Sequence, residues 1–226
     1  MSYDALVLDH DGVLVDVFLP DRRWPLFHEN VTECLLARGI EPPDAAFLKR
    51  LNGPCTHDQV WDLSSSLGLD PETLWRCREN AIEATLRAGI LNGEKQLFDD
   101  VEAVLEIDRP RGIVSNNQRR IVEFALAEYD LAEYFDTIYA REPNLDSLTD
   151  KKPSPVGLHQ TIGTLNATQP LFVGDSNSDV LAANRAGVDV AYIHREHNAA
   201  WELEATPTYE LTSLDELRSL LAGDGV

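Results

Sequence analysis

The sequence predicts an α/β protein: a three-layer core on a mainly parallel sheet, with an all-helical subdomain inserted after the first strand. Three observations carry that expectation. Short β-prone runs recur along the 226 residues, and each is followed by apolar residues at helical spacing. The alternation fails over residues 17–93, which read as helices alone. Acidic residues, a serine and a lysine pair fall where strand-like runs end, and in open α/β sheets those ends are where ligands bind.

Ala5-Leu6-Val7-Leu8 is the first run, apolar throughout, as a strand buried on both faces must be. Helical segments at about 28–38, 43–52, 56–67 and 70–88 follow, punctuated by Gly39, Pro42-Pro43, Gly53-Pro54 and Asp70-Pro71. Gly112-Ile113-Val114 is the second strand, and Ile121, Phe124, Ala125 and Leu126 continue it at helical spacing. Thr137–Ala140 is the third. Pro170–Val173 is the fourth, and the helix after it ends at Gly187, a C-cap glycine. Val188–Ile193 and Tyr209–Leu211 complete the set. Alternation of this kind implies a parallel sheet covered by helices on both faces. The core is therefore assigned to residues 1–16 and 94–226 and the helical insertion to 17–93, with the 223–226 tail expected to fray.

Composition narrows the function classes. Thirty-nine acidic residues against nineteen Lys and Arg give a net charge of −20, and only Lys49, Lys95, Lys151 and Lys152 are lysines. Such a surface repels phosphate chains, which argues against a nucleic-acid partner. It suits a halophilic cytoplasm, where salt screens self-repulsion. No run approaches the roughly 18 apolar residues of a membrane helix, and no signal-peptide pattern precedes the first strand. Cys34, Cys55 and Cys77 lack CxxC spacing and fit reduced thiols better than a disulfide framework or zinc site. His28, His57, His159, His194 and His197 show no ligand spacing. The expectation is a cytoplasmic monomer or homodimer.

The chemistry lies at the strand ends. The first strand runs into Asp9 and Asp11, the second into Ser115-Asn116, and the fourth into Gly174-Asp175-Ser176 with Asp179 four residues on. Lys151-Lys152-Pro153-Ser154-Pro155 precedes that fourth strand. Each piece has an ordinary reading: Asp-Gly is a turn, Gly-Asp-Ser a helix start, Ser-Asn a strand-end turn. Together they bring carboxylates, a hydroxyl and an ammonium group to one edge of the sheet. Asp16 reads as a turn or cap residue.

With these motifs in this order, the chain resembles the haloacid dehalogenase superfamily of phosphohydrolases. Asp9-His10-Asp11-Gly12-Val13-Leu14 is similar to its first motif and Ser115-Asn116 to its second. Lys152-Pro153-Ser154-Pro155 is similar to the third and Gly174-Asp175-Ser176-Asn177-Ser178-Asp179 to the fourth. His10 departs from the pattern, which is usually apolar there. The resemblance implies a Rossmann-like core with a type-one helical cap, and a phosphatase acting on a small phosphorylated metabolite, phosphoglycolate being a generic candidate. Asp9 would be the nucleophile, giving an aspartyl-phosphate, and Asp11 the general acid and base. Asp9, the Asp11 carbonyl and Asp175 would hold Mg2+. Ser115, Asn116 and Lys152 would bind phosphate, with Asp179 supporting and Gly12 permitting the turn. Arg22, Arg23, Asn52, Arg76 and Arg78 in the insertion would either set specificity or simply face solvent. Asp11 argues against a dehalogenase, because those members lack the second acid. A sugar-phosphate mutase shares the same residues. From other classes, a non-catalytic phosphate-binding protein remains a rival, while a receiver domain fails because its acceptor aspartate lies on the third strand.

Overall fold

The structure, a computed structural model, describes residues 3–222. The tail expected to fray, 223–226, lies outside the described residues. In chain order the elements are β1 (Ala5–Leu8), α1 (Pro20–Leu36), α2 (Ala45–Asn52), α3 (His57–Ser66), α4 (Pro71–Leu91), α5 (Glu102–Leu105), β2 (Arg111–Gln118), α6 (Arg119–Glu128) and β3 (Thr137–Arg141). They continue with α7 (Val156–Leu165), β4 (Pro170–Gly174), α8 (Asn177–Ala186), β5 (Asp189–Ile193), β6 (Tyr209–Leu211) and α9 (Leu217–Ala222). Among the described residues the six strands form one sheet in the order β3-β2-β1-β4-β5-β6, and every pairing is parallel. The α/β expectation is met, with the sheet parallel throughout. No helix of the described residues is long and apolar enough to cross a membrane.

The three layers follow from the side chains of β1, which alternate across the sheet. Leu6 and Leu8 pack with Val104 of α5, Val122 and Leu126 of α6, and Leu217 of α9. Val7 packs on the opposite face with Leu158 of α7 and Val180 and Ala183 of α8. All four β1 residues are buried, which is why the strand reads as a continuous apolar run. The strand order reverses about β1, with β2 on one side and β4 on the other, and such a switch point opens a crevice at the C-terminal strand ends.

The described residues form two units. One comprises the chain up to Val17, Gln96–Arg141 and the chain from Asp150 on; the other is Phe18–Lys95 with Glu142–Thr149. The second unit is helical. Its first helix begins at Pro20, well ahead of the expected residue 28. Pro20 at the helix start loses no helical bond, and Pro25 forfeits only one near the first turn, while Phe27, Val31 and Leu35 give α1 a buried stripe. Asp44, Thr56 and Asp70 cap the N-termini of α2, α3 and α4 through side-chain bonds to Phe47, Gln59 and Thr73. Sequence position assigns Glu142–Thr149 to the core, within 94–226. It belongs instead with the helices: Leu145 is buried with Cys55, Val60 and Trp75, and its N–H donates to Glu72 Oε1 at 3.4 Å.

Three of the polar residues of the insertion are part of its framework, not a solvated face. The Arg78 guanidinium donates to the Leu51 and Gly53 carbonyls, pairs with Glu79 and stacks over Trp75. Arg23 donates to the side chain and carbonyl of Asn52 at 3.2 and 2.9 Å.

In the core unit, Arg195 ties the segment after β5 to the rest of the sheet. It holds Asp100 through two hydrogen bonds of 2.8 and 2.9 Å, reaches the Val13 carbonyl at 3.2 Å and stacks on Phe98. Asp100 also accepts the Leu214 N–H. Burial pushes the Asp100 carboxyl up, but the bonds from Arg195 and Leu214 outweigh it and hold the group below its usual range. Asp100→Ala should therefore destabilise the fold by about 1–2 kcal/mol, measured by urea unfolding, because the partly buried Arg195 loses its partner. A depressed carboxyl contributes above its unfolded pKa and loses that contribution as pH falls through the folded one. The gap between wild type and variant should therefore close below about pH 4.

Candidate active site

Asp9 directly follows β1, and its N–H continues the ladder to the Val173 carbonyl at 2.9 Å. That bond fixes its backbone, so the side chain emerges at the C-terminal edge. Asp9 Oδ1 accepts the His10 N–H at 2.7 Å and pairs with the Lys152 ammonium at 2.8 Å. Lys152 Nζ also lies 2.7 Å from Asp179 Oδ1 and donates to the Val114 carbonyl at 2.9 Å. An ammonium has three protons, and these three oxygens account for them. Burial pulls the Lys152 pKa down, but the Asp179 and Asp9 carboxylates outweigh it and raise the pKa above its usual value, so the lysine stays charged.

The lysine is placed by Asn116. Lys152 N–H donates to Asn116 Oδ1 at 2.7 Å, and Asn116 Nδ2 donates to the Lys152 carbonyl at 3.1 Å. This reciprocal latch joins the end of β2 to the loop before α7. The second strand runs on to Gln118, with a register shift against β3 between Ser115 and Gln118, so Ser115 and Asn116 lie on its irregular end. An irregularity of that kind re-aims side chains. Ser115 is buried, and its Oγ accepts the Asn117 N–H at 3.1 Å, leaving the hydroxyl proton to donate.

Two glycines let carboxylates approach the backbone. Gly12 has φ +81, and a Cβ there would collide with the Asp175 carboxylate. A Cβ on Gly174 would collide with Asp179. Asp179 is fully buried and spends its second oxygen on the N-terminus of α8, accepting the Asp175 and Ser176 N–H groups and the Ser176 hydroxyl. It is at once a cap and the partner of Lys152.

Asp9, Asp175 and Asp179 each offer an oxygen within 4.8 Å of the others. Burial raises the Asp9 pKa well above the carboxylate range; Lys152 opposes the rise, while Asp179 and Asp175 reinforce it. Burial also raises Asp175, against a hydrogen bond from His197. Two raised carboxyls beside one lysine mark a site short of positive charge, and a hard cation with oxygen ligands fits that shortage. Both Asp179 oxygens are already engaged, so Asp9 and Asp175 are the carboxylates left for such a cation.

Three contributors were missed by sequence reasoning. Asn117 Nδ2 donates to Asp11 Oδ2 at 2.9 Å, tying the end of β2 to the second acid of the first motif. His197 Nε2 lies 2.6 Å from Asp175 Oδ2, although no spacing signalled it. Asn198 Nδ2 bridges the Asp175 and Ile193 carbonyls at 2.8 and 3.0 Å. His10 is fully buried, and among the described residues neither ring nitrogen has a hydrogen-bond partner; its Nδ1 is 3.4 Å from Asp11 Oδ1.

A parallel α/β sheet whose strand ends gather four aspartates and a buried lysine defines a class of hydrolytic enzyme. Residues 6–193 match the haloacid dehalogenase-like hydrolase family, and the chain belongs to it. It is 35% identical to phosphoglycolate phosphatase of Pseudomonas fluorescens over 239 aligned positions, covering 96% of this chain and 78% of that one. It is 32% identical to phosphoglycolate phosphatase of Photorhabdus laumondii subsp. laumondii over 133 residues, 56% of this chain and about half (55%) of that protein. Among solved structures it is similar to CbbY from Rhodobacter sphaeroides in complex with phosphate, with a TM-score of 0.67, 19% identity, and 95% and 96% of the two chains covered. At that identity the likeness concerns the fold.

Proposed function

We propose that this chain is a Mg2+-dependent phosphatase that hydrolyses a small phosphomonoester through an aspartyl-phosphate on Asp9. The reading rests above all on the buried Lys152 ammonium, shared by Asp9, Asp179 and the Val114 carbonyl. Both contacts to Asp9 fall on Oδ1, which leaves Oδ2 to attack phosphorus. Lys152, the Ser115 hydroxyl and the Asn116 N–H take the phosphoryl oxygens and stabilise the charge that gathers on them. Asp11, held by Asn117, protonates the leaving oxygen and then takes a proton from the water that frees phosphate. Asp9, Asp175 and the Asp11 carbonyl would hold Mg2+, which offsets the like charges of the site and draws phosphate to it.

Phosphoglycolate is the first substrate to assay, because the relatives in Pseudomonas fluorescens and Photorhabdus laumondii are phosphoglycolate phosphatases. Purified protein should release inorganic phosphate from phosphoglycolate or another member of a phosphomonoester panel, in the presence of Mg2+ and not after chelation. Folded protein inert towards the whole panel with Mg2+ present would overturn the reading. Asn117→Ala should lower kcat by about 10–100-fold with KM little changed, because Asp11 loses the bond that aims it. Steady-state kinetics on that variant checks it.

A further inference from the structure

We propose that Cys34 and Cys77 are an oxidant-sensitive pair that forms a reversible disulfide between α1 and α4 of the helical unit. The two helices lie side by side. Asn30 Nδ2 of α1 donates to Thr85 Oγ1 of α4 at 3.2 Å, and a turn further along α1 the Cys34 and Cys77 Sγ atoms face each other at 2.6 Å. Both cysteines are free thiols, and their sulfurs already stand close enough to be joined.

Their surroundings differ in the way a reacting pair requires. Cys34 is half-buried, and Arg38, one turn on, places Nη1 3.0 Å from its sulfur while donating to the Cys34 carbonyl at 2.9 Å. The more exposed of the two sulfurs is the one an oxidant reaches first. Cys77 is fully buried; burial, and then its contact with Cys34, pushes its thiol up to about 12. Cys34 is thus the accessible attacking sulfur and Cys77 the resolving one. Cys55 supplies an internal reference: it is buried, and its sulfur faces the carbonyls of Arg50, Leu51 and Gly53.

The oxidant is a hydroperoxide. The Cys34 thiolate attacks one peroxide oxygen and the O–O bond breaks, giving a Cys34 sulfenic acid and, after protonation, water from hydrogen peroxide. The Cys77 sulfur then attacks Cys34 sulfur and expels hydroxide, which leaves as water with the Cys77 proton. In sum, two thiols and one hydrogen peroxide give one disulfide and two waters, and a dithiol reductant reverses the change by exchange. The cross-link closes the chain from residue 34 to residue 77 and should raise the stability of the helical unit.

The test uses the full chain, reduced and then titrated with hydrogen peroxide, with free thiols alkylated before non-reducing proteolytic mapping. The expected result is a Cys34–Cys77 cross-linked peptide with Cys55 alkylated, reversal by dithiothreitol, and a Tm raised by about 5 °C or more on oxidation. Cys77→Ser should yield a Cys34 sulfenic acid captured by dimedone, and Cys34→Ser should leave Cys77 alkylatable only after denaturation. Circular dichroism confirms that each variant is folded. Three alkylatable thiols in oxidised wild type, a bridge involving Cys55, or an intermolecular bridge would each overturn the proposal.

Discussion

Asp9→Asn should abolish phosphatase turnover, by about 10^4-fold or more in kcat, while the protein stays folded. The amide cannot attack phosphorus, so the covalent step is lost outright. The fold should survive because Lys152 keeps two of its three acceptors, Asp179 and the Val114 carbonyl. The substitution also removes a carboxylate that burial and the neighbouring acids already disfavour as an anion. Asp11→Asn should be weaker, about 10^2- to 10^4-fold, as expected for loss of general acid and base catalysis. Stopped assays beside thermal melts decide both. A folded Asp9→Asn protein with normal turnover would remove Asp9 from the chemistry.

Lys152→Ala should lower kcat by about 100-fold or more and also destabilise the fold, whereas Lys151→Ala should behave almost as wild type. The two adjacent lysines differ in what holds them. Lys152 is buried and locked by the Asn116 latch, with its ammonium shared among three oxygens. Losing a preorganised charge contact to a phosphoryl group accounts for the rate. Leaving Asp9 and Asp179 buried without their cation costs about 3–5 kcal/mol. Lys151 is half-exposed. Kinetics well below each variant's Tm separates the rate effect from unfolding, and the reverse order of the two variants would place the functional ammonium on Lys151.

Much of this was legible because strands buried on both faces leave long apolar runs, and because such runs stop where the acids begin. Ala5–Leu8 followed by Asp9 is that pattern in its plainest form. The helical insertion shows itself through Pro and Gly punctuation, yet α1 begins at Pro20 and carries Pro25 in its first turns, where apolar spacing alone gives no start signal. Glu142–Thr149 could not be placed, since the burial of Leu145 against Trp75 is a contact between distant parts of the chain. Lys152 was readable from its motif, but the contact that holds its backbone comes from Asn116, 36 residues earlier. His197 was invisible for the same reason: it meets Asp175 only because β5 and the Arg195–Asp100 anchor carry its segment back to the site. Helical spacing puts Cys34 and Cys77 on faces, but only packing of α1 on α4 turns those faces towards each other.

The mechanism stands or falls on where phosphorus first goes. Wild-type protein mixed with its best substrate and Mg2+, quenched in acid within one turnover and digested, can be mapped by mass spectrometry for the peptide that carries the phosphoryl group. The expected result is phosphorylation of Asp9, appearing and decaying at rates consistent with turnover, and none in Asp9→Asn. A phosphoryl group found on Asp11 or Asp175 instead, or full turnover with no covalent phosphoprotein at any time, would contradict it.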